Sequence, residues 1–300
     1  MTMSHLSIFA NFRIDSEERF LRMKDSFYSF HNANIKKWII NVRGDYAEDT
    51  IKFLKSNINS DSLKIFNNES GKGWFYDTNN LIKWIDSQLI MIWIEDQICM
   101  CGPDKLDLII EDMYQSNVDY MGYTWFGLGT FIKEFNNIIK CELNSIWYVK
   151  YDRNINKIRQ RNSINLMSCK SFIISLPGIF DIKFFKKNII NRTPYLRRWP
   201  KQTPFDFEKK WSDTGILPLN YGVPKFEMFA TIDDDNKVPK SSLVSRGLYP
   251  HRVSRNKLLA IRDGDKNNKK FYKIRKFLKR IKLIVIIYKI FKRISYHFVF

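Results

Sequence analysis

The sequence predicts an α/β fold, a doubly wound and mostly parallel sheet with helices on both faces. Three observations predict it. Short apolar runs alternate with helix-period stretches across roughly the first hundred residues, the signature of repeated βα units. The run Leu89-Ile90-Met91-Ile92-Trp93-Ile94 has no polar position, as expected of a strand covered on both faces. That run ends on two carboxylates, Glu95 and Asp96, where the carboxyl edge of an open α/β sheet receives its ligands.

Each element follows in order. Leu6-Ser7-Ile8-Phe9-Ala10-Asn11-Phe12 reads as the first strand. Ser16-Glu17-Glu18 opens a helix with Ser16 as N-cap and Phe20, Met23 and Phe27 on its apolar side. Lys37-Trp38-Ile39-Ile40-Asn41-Val42 is the second strand and stops at Arg43-Gly44-Asp45. A second helix begins over 49–54, and Leu63-Lys64-Ile65-Phe66 is a short third strand. After Gly71-Lys72-Gly73-Trp74 a helix is expected with Leu81, Trp84 and Ile85 on one face, leading into the run at Leu89. The order βαβαβαβ implies parallel pairing with right-handed crossovers. Pro103-Asp104-Lys105 starts a further helix whose buried stripe is Leu106, Ile109, Ile110 and Met113.

Beyond it the signals are sparser. Asp119-Tyr120-Met121-Gly122-Tyr123-Thr124-Trp125 is strand or loop, and Gly122, Gly127 and Gly129 fit neither a Walker A loop nor a dinucleotide fingerprint. Trp147-Tyr148-Val149 and Ser171-Phe172-Ile173-Ile174 carry strand signals. Prolines at 194, 200, 204 and 218 mark an ordered, irregular stretch.

Composition limits the function classes. With 300 residues, 44% hydrophobic and 15% aromatic, the chain can build a large core and is not a disordered polymer. Cys99, Cys101, Cys141 and Cys169 show no CxxC spacing, and no secretory h-region opens the chain, which points to a reducing, cytoplasmic setting. Cys99 and Cys101 read as buried small hydrophobes rather than metal ligands. Most of the net charge of +19 is local: residues 266–300 hold 12 of the 50 Lys/Arg and none of the 31 Asp/Glu, leaving 38 basic and 31 acidic side chains on the other 265 residues. The rest is nearly balanced, whereas a nucleic-acid binder spreads its charge over a folded face, so nucleic acid is not the expected partner.

That tail has its own pattern. Phe271, Ile274, Leu278, Ile281, Val285, Tyr288 and Phe291 fall at helical spacing, with Lys and Arg on the other faces. No uncharged run there approaches the ~20 residues of a spanning helix. A basic amphipathic helix lying on an anionic membrane surface is expected instead.

Three blocks together resemble bacterial glycosyltransferases of the GT-A type, broadly family-2-like, that serve surface polysaccharides such as O-antigen or capsule. They are the opening βαβ unit, the strand running into Trp93-Ile94-Glu95-Asp96-Gln97, and the helix ending in residues 119–125. The resemblance covers about residues 5–255, and Glu95-Asp96 departs from the family's Asp-x-Asp. It implies a donor half at about 1–130 and an acceptor half at about 131–265; the membrane-associating tail at 266–300 rests on its own pattern. It also implies a UDP-sugar donor, with Asn11, Arg13, Asp45, Asp77 and Glu95 binding it and a divalent Mn or Mg ion on Asp96.

An inverting transfer needs a base for the acceptor hydroxyl. Two segments compete for it: Asp206 and Glu208, set among aromatics, and Asp233 and Asp234, which follow the apolar stretch 226–232. Arg246, His251 and Arg252 form a late cationic cluster able to meet a diphosphate, and the resemblance implies His251 as a metal ligand. The resemblance further implies a polyisoprenyl-diphosphate-linked glycan acceptor at the inner face of the bacterial inner membrane. The competing readings are a non-enzymatic membrane- or nucleic-acid-binding protein and another nucleotide-using transferase on the same sheet.

Overall fold

The computed structural model describes residues 5–69, 74–122, 141–150, 178–190, 220–232, 242–244 and 246–249. All of them belong to one compact unit, Met1–Pro250. The expected alternation is present: β1 (Leu6–Arg13), α1 (Glu17–Phe30), β2 (Ile35–Arg43), α2 (Ala47–Asn57), β3 (Leu63–Phe66), α3 (Trp74–Leu81), β4 (Leu89–Ile92). Then come β5 (Gln97–Cys99), α4 (Pro103–Ser116), β6 (Tyr120–Gly122), β7 (Cys141–Glu142), β8 (Ile146–Lys150), β9 (Gly178–Asp181), β10 (Asn220–Pro224) and β11 (Phe229–Thr231).

Nine strands form one sheet in the order β3-β2-β1-β4-β9-β6-β10-β8-β7, and β11 pairs with β5 in a second, two-stranded sheet. The pairs β1–β2, β2–β3, β1–β4 and β6–β10 are parallel. Only β9 and β8 run against the others, so the large sheet is mostly parallel.

Alternation along β1 explains the layering. Leu6, Ile8, Ala10 and Phe12 enter a core with Met23, Phe27 and Phe30 of α1, Leu54 of α2, and Leu106, Ile109 and Met113 of α4. The opposite face carries Ser7, Phe9 and Asn11, and Asn11 Nδ2 reaches Thr78 Oγ1 of α3 at 3.4 Å. Helices therefore cover both faces. All four β4 residues are buried, as an uninterrupted apolar run requires.

Trp93 anchors the first core among Phe12, Phe30 and Trp38, with ring centroids 4.7, 5.5 and 5.8 Å away. Its indole N–H donates to Ser26 Oγ at 2.8 Å, which satisfies the one polar group such a buried ring carries. Burying each large side chain of this kind contributes about 1.5–3 kcal/mol. Ser16 caps α1, accepting from Arg19 N at 3.3 Å. α4 starts at Pro103, and its buried positions include Leu106, Ile109, Ile110 and Met113.

Two expectations need correction. α3 stops at Leu81 and tightens into a 3₁₀ turn, Ile82–Trp84. Leu81 and Ile85 are buried but Trp84 is 42% exposed, so the three do not share one buried helical face. The Leu89 strand closes at Ile92, although Trp93 N still donates to Phe9 O at 2.8 Å. Glu95 and Asp96 lie in a turn, closed by Gln97 N to Ile94 O at 3.3 Å, so strand alternation does not force their side chains to opposite faces.

The strand signal at 171–174, the proline-rich stretch 194–218 and the tail 266–300 lie outside the described residues. Among the described residues no helix is long and apolar enough to cross a membrane.

Candidate functional site

Because β1 to β4 run the same way, their carboxyl ends share one edge. Register brings like residues together there: Asn11 lies beside Asn41, and Arg13 beside Arg43. Asn41 Nδ2 donates to Asn11 Oδ1 at 3.0 Å and to Asn68 O at 2.9 Å, while Asn68 N donates back to Asn41 Oδ1 at 2.9 Å. This amide ladder ties the ends of β1 and β2 to the loop after β3. It also presents Asn11 to Thr78 of α3.

Charges continue along the edge. Exposed Arg13 donates to Glu69 Oε1 at 2.6 Å and to Asp15 Oδ2 at 3.1 Å. The hydrogen bond to Glu69, with the charge of Asp15, holds Arg13 above its ordinary pKa. Arg43 behaves oppositely. Burial pushes its pKa down, against the opposing pull of Asp77 and Glu69. Gly44 makes this approach of loops possible. Its φ is +96°, and a Cβ there would stand 2.5 Å from Asp15 Oδ1 and 2.6 Å from Ile14 O.

Asp77, on α3, is 5% exposed. Its Oδ2 and the Nε of Arg43 are buried atoms with no hydrogen-bond partner among the described residues. An unmet buried acceptor costs about 1–3 kcal/mol, more when charged. Here an acceptor and a donor that feel each other's charge are both buried without a hydrogen bond near the carboxyl ends of the strands.

The opening carboxylates occupy the other end of this rim, against α1. Arg19 directs both Nε, at 2.9 Å, and Nη2 at Glu95 Oε1. Burial disfavours the Arg19 charge, but Glu95, Asp96 and Asp15 together hold its pKa above the ordinary value. Arg22 pairs with Glu18 at 2.8 Å and adds a second positive charge near Asp96. The Asp96 carboxyl is pushed up to about 6, first by burial and then by the neighbouring Glu95 charge, against Arg19 and Arg22. The charge of Asp15 acts on Arg13, Arg43 and Arg19 alike, so it links the arginines near Asp77 with the one that holds Glu95.

Other predicted residues fall elsewhere. Asp45 is exposed in the turn before α2. Arg246 forks onto Glu227, at 2.6 and 3.0 Å, in the segment that runs beside β11. Asp206, Glu208, Asp233, Asp234, His251 and Arg252 lie outside the described residues. Ile232 N donates to Asp96 O at 2.8 Å, so the last described residue before the Asp233 triplet stands against the acid pair.

Sequence reasoning missed Arg19, Arg22, Asn41 and Arg43. The arginines at i and i+3 on α1 were a visible signal. The Asn11–Asn41 and Arg13–Arg43 pairings emerge only from strand register.

Metal fit can be judged from the donor set. Among the described residues no three His, Cys, Asp or Glu side chains gather as a ligand cluster. Glu95 already holds Arg19. Asp96 is a carboxylate whose negative charge burial and Glu95 disfavour, and a divalent cation would relieve that. Hard ions such as Mg²⁺ take one or two carboxylates and complete their shell with water and phosphate. Asp96 fits that role.

No protein-family model and no curated protein matches the chain. Solved structures do. TarS of S. aureus is 12% identical with a TM-score of 0.46, over 75% of this chain and 36% of that chain. TarS 1–349 in complex with UDP-GlcNAc is 9% identical with a TM-score of 0.46, over 77% and 59%. The mannosyltransferase PcManGT from Pyrobaculum calidifontis, in complex with GDP-Man and Mn²⁺, is 9% identical with a TM-score of 0.38, over 61% and 46%. The chain thus spans 36–59% of the length of these chains. At such scores the site stands on its own geometry.

Proposed function

We propose that this chain is a glycosyltransferase that binds a nucleoside diphosphate sugar across the carboxyl ends of β1, β2 and β4. One observation carries the reading: Asp77 Oδ2 and Arg43 Nε are buried and unpartnered at the rim. A uracil edge presents a ring N–H flanked by carbonyls. Asp77 accepts that N–H and Arg43 donates to a flanking carbonyl. Cytosine has no ring N–H at that position and would set a lone pair against the carboxylate, so the pair favours a UDP-sugar. Asn11 and Thr78 border the nucleoside, and Arg13 stands close enough to serve the ribose or phosphate.

The diphosphate then extends along the charged rim towards Asp96. A Mn²⁺ or Mg²⁺ ion held by Asp96 would neutralise the departing nucleoside diphosphate. Arg19 holds Glu95 in place and supplies positive charge on the same side. The acceptor hydroxyl needs a base on the sugar face opposite the phosphate. Asp233 or Asp234 is preferred over Asp206 and Glu208, because Ile232 is hydrogen-bonded to Asp96. The basic stripe at 266–300 supports a lipid-diphosphate-linked acceptor at an anionic membrane surface, and Arg252 and His251 stay candidates for the donor diphosphate and the metal.

The test is a donor panel including UDP-GlcNAc and GDP-Man, each with Mn²⁺, scored for hydrolysis or transfer by the full chain. Turnover of a UDP-sugar, lost in Asp96→Ala, is expected. No turnover of any donor would overturn the proposal.

A further inference from the structure

The acid turn is followed by two thiols that the proposed transfer does not use. Cys99 ends β5, and Cys101 lies two residues on, in the bend that leads to Gly102. Their sulfurs stand 3.7 Å apart. Both are free thiols, Cys99 buried and Cys101 half-buried, so the Cys101 side of the pair is the more exposed.

The backbone around them is tightly placed. Cys99 N donates to Ser29 Oγ at 2.8 Å, and Met100 N donates to Met228 O at 2.9 Å. Cys101 Sγ lies 3.5 Å from Gly102 O. Gly102 takes a φ of +79° that few side chains would tolerate, which fixes the turn beyond the second thiol.

We infer that Cys99 and Cys101 form a dithiol that closes to an intramolecular disulfide when it meets a low-molecular-weight disulfide such as oxidised glutathione. The geometry allows closure. A disulfide needs its sulfurs about 2.05 Å apart and its Cα atoms within about 6.8 Å. Two residues of fully extended chain span at most about 7 Å, and the bend at Met100 and Cys101 brings the ends nearer. The sulfurs have less than 2 Å to travel.

The electronics agree. A hydrogen bond from Cys101 lowers the Cys99 pKa, and the same bond raises that of Cys101, so the first proton leaves more easily than from an isolated thiol and the second less easily. Exchange proceeds in two balanced steps. The thiolate attacks the small disulfide RSSR, forming a mixed disulfide and releasing RS⁻. The remaining protein thiol passes its proton to RS⁻, and its sulfur attacks the protein sulfur of the mixed disulfide, expelling a second RS⁻. Two protein thiols are oxidised and one RSSR is reduced to two thiols.

The experiment treats the folded full chain with oxidised glutathione, then alkylates it without reduction and reads intact mass and peptide maps. The expected product has lost two hydrogens, carries no glutathione, and maps to a single peptide linking Cys99 and Cys101. Dithiothreitol should reverse it. Cys99→Ser and Cys101→Ser should each stop at the stable mixed disulfide or not react. Cys141→Ser should behave as the parent, and a melting curve for each variant checks that it is folded. A stable glutathione adduct on the parent chain, a bridge through Cys141 or Cys169, or unreacted thiols at Cys99 and Cys101 would each overturn the inference. None of these readouts depends on the transferase reading.

Discussion

At the residue scale the informative feature is charge held where water is scarce. Burial, and then the Glu95 charge, push the Asp96 carboxyl up to about 6. Its folded pKa therefore lies above its unfolded one, and the sign follows. Below about pH 4 both states are protonated, and the contribution to stability is full. Between about pH 4 and 6 the folded state still holds a proton that the unfolded state has released, so stability falls as pH rises. In metal-free protein, urea midpoints should show the parent losing on the order of 1–3 kcal/mol relative to Asp96→Asn between pH 4 and 7. Mn²⁺ at pH 7 should restore stability to the parent alone. A parent-to-variant difference that stays flat with pH would contradict this environment for Asp96.

At the element scale α1 organises the acid turn as much as β4 does. Ser26 Oγ accepts from the Trp93 indole at 2.8 Å and donates to the Gln97 carbonyl, stapling α1 to both sides of Glu95-Asp96. Ser26→Ala would leave a buried indole N–H and a carbonyl unmet, at about 1–3 kcal/mol. The melting temperature should drop by several degrees, since each kcal/mol is worth about 2–4 °C in a chain of this size. An unchanged melting temperature would mean the staple is absent in solution.

This level also shows what could be read in advance. The first four strands were legible because their short, mostly apolar runs alternate with helix-period stretches, and β3 falls on Leu63–Phe66 as expected. β5, β7, β9 and β10 are too short or too mixed to stand out. The Ser16 cap and the Pro103 start were legible because capping chemistry is local. The Arg43–Asp77 gap was not, since it joins residues 34 positions apart through register and burial. Arg246 looked free for phosphate in the sequence, but its partner Glu227 lies 19 residues upstream and is brought to it by folding.

At the scale of the whole chain, charge is divided between a nearly balanced body and a basic tail. On the proposed function the two separate experimentally. Truncation after Asp265 should leave nucleotide affinity within about twofold while removing binding to vesicles of anionic phospholipid. Full-chain vesicle binding should weaken steeply as ionic strength rises past physiological, where the Debye length is about 8 Å. Equal vesicle binding by both forms would place the membrane contact elsewhere.

The central claim, that the rim of β1, β2 and β4 reads a nucleoside diphosphate, is tested most directly by titrating UDP into the full chain with Mn²⁺ in a calorimeter. Parent protein should bind UDP saturably and prefer it to CDP. Asp77→Asn should weaken UDP by about tenfold or more, because a single misplaced polar contact in a buried site is worth about 1.4 kcal/mol or above. UDP binding that is absent, or undiminished in Asp77→Asn, would contradict the account.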